Sequence, residues 1–185
     1  MIRSQCLLVA TLLSLAPMSS LSAQEQASFD SIEACQELDK GFTNVDLESQ
    51  KLDAILSDPS STREDFLAGI FQGTQLMLAY GETMFQLSER HENACKAALR
   101  EAGMPSEILR IYRLGLDPTT RGYAFLGRVK SLATSLGDEQ TAADMEVAME
   151  GFKSSASQLV DFCLQDSENS KGCEELRREI ELRLP

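Results

Sequence analysis

The stretch STREDFLAGIFQGTQLMLAYGETMFQLSERHENACKAALREAG, residues 61–103, decides the fold. It opens on two capping-box spacings, in which side chains at a helix start satisfy free backbone N–H groups. These spacings are Ser61 with Glu64, and Thr62 with Asp65. An apolar stripe at helical spacing follows: Phe66, Ile70, Met77, Met84, His91 and Cys95. The stretch therefore predicts one long helix that ends near residue 102.

Glycines shape this predicted helix. Gly103 can adopt the left-handed conformation that closes a helix, and Pro105 prevents continuation. Forty residues of helix would span roughly 60 Å, which is long for a small domain, so we expect a bend near Gly81. Gly69 and Gly73 form a Gly-x-x-x-Gly motif. Because an exposed mid-helix glycine costs about 1 kcal/mol against alanine, we expect a close helix contact there, within the chain or across a homodimer.

Turn and cap residues divide the rest of the chain into further helices. The predicted helices are 29–39, ended by Gly41; 47–56, ended by Asp58-Pro59-Ser60; 105–114, ended by Gly115; 118–136, between Asp117-Pro118 and Gly137; 138–163; and a short last helix led by Cys173. No stretch alternates apolar and polar residues as a strand would. The sequence predicts an all-α fold, a disulfide-stabilised bundle of six or seven helices forming one domain over residues 24–185.

The N-terminus has the three parts of a secretory signal peptide. Arg3 supplies a positive charge, residues 6–15 (CLLVATLLSL) form an apolar run, and a mostly small-residue stretch ends at Ala23. We place cleavage after Ala23, with Ser19 and Ser20 as alternative sites. The apolar run is shorter than the roughly 20 residues of a membrane span, which disfavours a retained anchor. We therefore expect a periplasmic or secreted protein.

Acidic residues dominate the composition. The chain has 29 acidic and 17 basic residues, a formal charge of −12, and loss of Arg3 with the signal peptide leaves 16 basic residues and a charge of −13. Such a surface repels nucleic acid and anionic lipid. We expect neither as a partner, and a basic protein is the partner that the charge favours.

Four cysteines remain after residue 23, and an even number in an exported chain indicates two disulfides. Three pairings are open. Cys163 and Cys173 flank the polar segment LQDSENSKG and can meet by a local reversal. We therefore favour Cys163 with Cys173, and Cys35 with Cys95 as the long-range link.

Sequence signatures of catalysis are absent. The chain has one histidine, His91, and no nucleophile elbow, P-loop, dinucleotide-binding glycine pattern or Cys-x-x-Cys. We expect a protein that is not an enzyme and has no cofactor. Met77, Met84 and His91 are spaced by seven and are weak candidates for Cu(I) ligands. Seven residues rise about 10 Å along a helix, so packing in the core is the simpler interpretation of the methionines.

The polar segment from Glu168 to Glu175 contains Cys173 and lies mostly within the loop closed by the local disulfide that we favour. A short, stapled, exposed loop loses little ordering entropy on binding. Beside the Gly69 and Gly73 motif, this loop is therefore another candidate for contact with a partner, although most such loops only connect two helices.

The stretch FLAGIFQGTQLMLAYG (66–81), with Cys95 downstream, resembles the glycine-containing helix and following cysteine of periplasmic amidase-immunity proteins of type VI secretion systems, the Tai type. The resemblance covers residues 66–95 of the 185. It implies a small, exported, helical, disulfide-containing protein that blocks the active site of a toxic enzyme.

We therefore predict a non-catalytic extracytoplasmic protein that acts through protein–protein binding, with an inhibitor or immunity protein for an exported enzyme as its most concrete form. One alternative is a carrier of a small apolar ligand or metal between helices. Another is an envelope stress chaperone that exposes apolar surface when its carboxylates protonate below about pH 4–5.

Overall fold

The computed structural model describes residues 28–56 and 62–185. Those residues form seven α-helices and no strand, so the all-α prediction is confirmed. The helices are α1 (Glu33–Ser49), α2 (Arg63–Leu87), α3 (Asn93–Glu101), α4 (Ile108–Leu114), α5 (Leu116–Ser135), α6 (Glu139–Asp166) and α7 (Ser170–Arg183). The predicted signal peptide and the Asp58-Pro59-Ser60 turn lie outside the described residues.

Helices α2 and α3 form one rod, as the sequence predicts. The Thr62 hydroxyl accepts a hydrogen bond from the Asp65 N–H, and the Asp65 carboxylate accepts one from the Thr62 N–H. Ser61 lies outside the described residues.

The rod ends before Gly103, which has a φ of 72°. The bend expected near Gly81 is wrong, because α2 continues through that residue and a single π-helical turn, Ser88–Glu92, joins it to α3.

The N-terminal third departs from the predicted boundaries. Gly41 does not end a helix, because α1 runs through it to Ser49 and a 3-10 turn, Gln50–Asp53, follows. The separate helix predicted at 47–56 is therefore wrong. A Cβ at Gly41 would lie 2.3 Å from the Leu87 side chain, so this glycine lets α1 approach α2 closely.

The remaining helices follow the predicted order, with small changes at their ends. Pro105 opens a 3-10 turn before α4, and Asp138 caps α6 through the Thr141 N–H. Gly137 has a φ of 72°, as a helix-closing glycine should. Asp117 is not a cap, because α5 already begins at Leu116, and Gly115 alone separates it from α4.

Two apolar clusters form the core. Among the described residues, one gathers side chains of α1, α3, α4, α5, α6 and α7 around both cysteine pairs, and the other lies between α1, α2 and α5. The half-buried Met84 packs against both clusters. Helix α2 therefore covers the second cluster with one side and leaves its other side outside the core.

Both cysteine pairs lie at disulfide distance in the predicted pairing. The Cα atoms are 4.8 Å apart for Cys35 and Cys95, and 5.8 Å apart for Cys163 and Cys173. The first pair ties α1 to α3, and the second ties α6 to α7. In the part of the chain that the structure describes, no helix is both long and apolar enough to cross a membrane.

Candidate functional site: the outer face of helix α2

Large apolar side chains project into solvent along one side of α2. They are Leu67, Phe71, Leu78 and Phe85, with exposed fractions of 53%, 68%, 63% and 63%. With 3.6 residues per turn, these four positions fall within about 40° of one another around the helix axis and extend over roughly 27 Å. Thr74 and Gly81 fill the gaps between them and are also exposed. We call these six residues the outer stripe.

The opposite side of α2 is packed, which fixes the direction of the outer stripe. Phe66, Gly73 and Tyr80 are buried. A Cβ at Gly73 would lie 2.0 Å from Phe125 Cζ, so α2 and α5 are in direct contact at that glycine. The Tyr80 hydroxyl donates to the Pro118 carbonyl at 3.4 Å, and burial raises the pKa of Tyr80 to about 12. Helix α2 therefore cannot rotate to hide the outer stripe without losing this packing.

The helix segment that carries most of the stripe has no charge. Residues 66–81 contain no Asp, Glu, Lys or Arg, whereas charged residues make up 25% of the chain. The exposed positions beside the stripe in this segment are Ala68, Gln72, Gln75 and Ala79. An exposed apolar patch inside a polar surface is typical of a protein-contact site.

A buried polar cluster lies at the α3 end of the rod. Lys96 of α3 is only 7% exposed, and its Nζ lies 2.6 Å from Glu92 Oε1, 2.7 Å from Asp166 Oδ2 and 2.8 Å from the Tyr112 hydroxyl. The Tyr112 hydroxyl donates to the same Asp166 oxygen at 2.5 Å, and Arg100 reaches the other oxygen at 3.3 Å. The cluster joins the π-helical turn, α3, α4 and the end of α6.

The protonation states of this cluster follow from its contacts. Burial alone would lower the pKa of Lys96, but hydrogen bonds to Asp166, Glu92 and Tyr112 outweigh burial and raise it. Burial, followed by the hydrogen bond to Asp166, raises the pKa of Tyr112 to about 12. Burial opposes ionisation of Asp166, but Lys96 and Tyr112 together lower its pKa. A charged lysine with three oxygen partners is neither a nucleophile nor a base, so the cluster cross-links helices.

A cleft opens beside this cluster. Its volume is about 190 Å³, and its apolar wall comprises Phe42, Met84, Phe85, Ile111 and Leu159. Ser88, Glu92, Tyr112 and Thr119 add polar atoms. The volume is close to that of an apolar cavity of about 150 Å³ that holds benzene, so the cleft suits a ring-sized molecule. Phe85 belongs both to this cleft and to the outer stripe.

The weak metal candidates are not brought together. Met77 and Met84 are half-buried and pack against the core between α2 and α5. They are separated by seven residues of continuous α-helix, or roughly 10 Å, and His91 lies beyond them in the π-helical turn. No group of three or more His, Cys, Asp and Glu residues within 28–56 and 62–185 could hold a metal ion.

The structure places the other candidates within the fold. Gly69 and Gly73 both face the chain's own side chains: a Cβ at Gly69 would lie 2.4 Å from Leu56 Cδ2, and Gly73 meets Phe125. The expected loop at 168–175 is wrong, because α7 begins at Ser170 and most of that segment is helical. The Asn169 side chain caps the start of α7 by accepting a hydrogen bond from the Gly172 N–H.

The outer stripe was not recognised from the sequence. The stripe read from the sequence, from Phe66 to Cys95, is the buried side of the rod, and the second apolar side was not separated from it. The signal was present, because a helix with apolar residues on all sides has more apolar surface than one core contact requires. The uncharged run 66–81 marks the place.

No known protein family, curated protein or solved structure matches the chain.

Proposed function

We propose that this is a non-catalytic, extracytoplasmic protein that acts through protein–protein binding, and that the outer stripe is its contact surface. The observation that carries the proposal is the line of four large apolar side chains, each more than half exposed, on an uncharged segment of α2. Covering such side chains removes apolar surface from water, which contributes roughly 25 cal/mol per Å². A partner helix or groove would gain this energy without having to match a charge.

The extracytoplasmic location rests on two observations. Two cysteine pairs lie at disulfide distance in the described residues, and disulfides persist mainly in oxidising compartments such as the periplasm. The N-terminal charge, apolar run and small residues have the order of a cleavable signal peptide. We therefore propose that the mature protein begins near residue 24 in the periplasm or outside the cell.

An inhibitor or immunity protein for an exported enzyme is the more specific form of this proposal. The segment that resembles the amidase-immunity helix, 66–81, carries five of the six residues of the outer stripe. The chain's charge of −12 would steer a basic enzyme towards it. The uncharged stripe would then form the dry centre of the contact, with acidic residues at its rim.

Capture from the host envelope tests this function. A tagged copy is produced in its own host, and the recovered proteins are compared with those from a Leu78→Glu variant and a Val147→Glu variant. Val147 on α6 is 75% exposed, so its variant is a control with the same added charge outside the stripe. We expect a stoichiometric protein with the wild type and the control, and its loss with Leu78→Glu.

Two outcomes would contradict the proposed function. One is a wild-type eluate in which no protein exceeds background, neither a different protein nor the host's own untagged copy of this chain. The other is a partner that survives Leu78→Glu unchanged, because that partner would bind elsewhere on the molecule.

The cleft favours a second candidate function, a carrier of a small apolar molecule. Its apolar wall and its volume of about 190 Å³ fit a ring-sized ligand. Native mass spectrometry of protein purified from its own host tests this function. We expect extra mass that is lost when Ile111→Trp fills the cleft, and an apo mass alone would contradict the carrier function.

A further inference from the structure

We propose that the outer stripe pairs with the same stripe of a second copy, with the two α2 helices antiparallel. This inference rests on the proposed function, since it names an occupant of the same surface, and it makes a second copy and an exported enzyme competitors for the outer stripe. The intervals between successive stripe residues from Leu67 to Phe85 are 4, 3, 4, 3 and 4 residues. This is the spacing of the seam positions of a coiled coil. It reads the same in both directions, so an antiparallel copy brings every seam position onto another seam position.

The pairs formed in this way match in size. Antiparallel pairing centred on residue 76 sets Phe71 opposite Gly81 of the second copy, Leu78 opposite Thr74 and Phe85 opposite Leu67. Each of the first two pairs joins a large side chain to a small one, as close helix packing requires. Apart from its own helix backbone, Gly81 has no heavy atom of the described residues within 4 Å of an added Cβ. The structure of one chain therefore leaves open at Gly81 the space that Phe71 of a second copy would fill.

The glycine itself supports this occupant. An exposed glycine inside a helix costs about 1 kcal/mol against alanine. Gly69 and Gly73 have near neighbours within the chain that account for them, Leu56 and Phe125. Gly81, like Gly151 of α6, has none among the described residues, and at Gly81 the ring of Phe71 from a second copy would supply one.

Charge permits the pairing of two acidic chains. Each chain has a formal charge of −12, so two copies repel each other at most faces. The antiparallel register brings two uncharged segments together and sets the Gln75 side chains beside each other at the two-fold axis. Glu82, at the edge of the seam, then faces Ala68 of the second copy instead of another carboxylate.

The available area predicts a dimer of modest affinity. Four apolar side chains that are about two-thirds exposed offer roughly 500 Å² per copy, against about 800 Å² per partner in an interface of standard size. Association is therefore expected at micromolar concentrations. Added salt should tighten it, because screening weakens the repulsion between the two acidic chains and leaves the apolar seam intact.

Sedimentation equilibrium of the purified protein, with its disulfides intact, tests the dimer. We expect the apparent mass to rise from that of one chain to that of two as the concentration increases. Leu78→Glu should weaken association by about tenfold or more, and Val147→Glu should have little effect. Gly81→Leu is the sharper variant. It adds apolar surface, which would strengthen non-specific sticking, but it fills the space for Phe71, so it should weaken this dimer.

Cysteine cross-linking tests the register. Phe71→Cys and Gly81→Cys chains are mixed and mildly oxidised, and each variant alone is the control. The antiparallel pairing sets residue 71 beside residue 81 of the second copy but separates the two copies of residue 71 by roughly 15 Å along the axis. We expect a linked dimer only in the mixture. A linked dimer with either variant alone, or none in the mixture, would overturn the register.

Failure of this inference can be separated from failure of the proposed function. A chain that stays monomeric at millimolar concentration overturns the dimer. If Leu78→Glu still removes a captured envelope protein from that monomer, the outer stripe remains a contact surface for another protein. If Leu78→Glu changes neither mass nor capture, both proposals fall.

Discussion

Two glycines of α2 lie in opposite surroundings and should respond oppositely to alanine. A Cβ at Gly73 would lie 2.0 Å from Phe125 Cζ, whereas one at Gly81 would have no side chain of the described residues within 4 Å. We expect Gly73→Ala to lower the free energy of unfolding by about 1–3 kcal/mol through overpacking. Gly81→Ala should raise it by up to about 1 kcal/mol, since alanine is the better helix former. Urea denaturation at low protein concentration measures both, and equal effects would contradict the assigned surroundings.

Asp166 should contribute to stability in a pH-dependent way. Its hydrogen bonds to Lys96 and Tyr112 lower its pKa in the folded state, so its contribution is complete above its unfolded pKa and is lost as pH falls through the folded one. We expect Asp166→Asn to cost about 1–3 kcal/mol at pH 7 and progressively less as the pH falls below the ordinary carboxyl pKa of about 4. Urea denaturation across this pH range measures the change.

The control for Asp166 is Asp161→Asn in the same helix. Asp161 makes an exposed ion pair with Arg177 at 3.6 Å, which should contribute less than about 1 kcal/mol. Two results would show that the buried cluster does not hold its helices together. One is that Asp166→Asn lowers the free energy of unfolding only as much as Asp161→Asn does, and the other is that it lowers it by an amount that does not change with pH.

Contacts between single residues were predictable from the sequence only where chain geometry limits the choice. The ten-residue separation of Cys163 and Cys173 favoured a local pair, which left Cys35 for Cys95, and both pairs are observed. Lys96 and Asp166 are 70 residues apart. Neither has a motif around it that marks a partner, and the contact exists only after α3 and α6 have packed.

At the scale of one element, the start of α2 depends on its capping box. The Thr62 hydroxyl accepts a hydrogen bond from the Asp65 N–H, in the first helical turn, where the helix itself offers no backbone acceptor. We expect Thr62→Ala to lower the free energy of unfolding by about 1 kcal/mol. Thr83→Ala in the same helix is the control, because the Thr83 hydroxyl only bonds back to the Ala79 carbonyl. The box would be irrelevant if both variants had the same stability in urea.

Helix boundaries were predictable where local chemistry sets them and not where packing does. The Thr62 and Asp138 caps and the positive φ values of Gly103 and Gly137 are local features, and the sequence identified each of them. Gly41 was misjudged because a mid-helix glycine costs only about 1 kcal/mol, which the contact with Leu87 can offset. The outer stripe was missed for a related reason: periodicity shows that a residue is apolar, but not which of two apolar sides the core covers.

At the scale of the whole molecule, the two disulfides should contribute unequally. The cysteines are separated by 60 residues in Cys35–Cys95 and by 10 in Cys163–Cys173. In the chain-entropy model, closing these loops stabilises the fold by about 4 and about 3 kcal/mol respectively. We expect the double alanine variant at Cys35 and Cys95 to lose more stability in urea than the one at Cys163 and Cys173. The reverse order would contradict the chain-entropy account.

We propose above all that another protein molecule covers the outer face of α2 in the host envelope. The most direct measurement is photo-crosslinking in the host, with a photoreactive phenylalanine analogue at position 71 in one strain and at position 147 in another. We expect a linked protein at position 71, identified as a second copy of the chain by its mass and peptides, and little cross-linking at position 147. Equal cross-linking at both positions, or none at position 71, would contradict it.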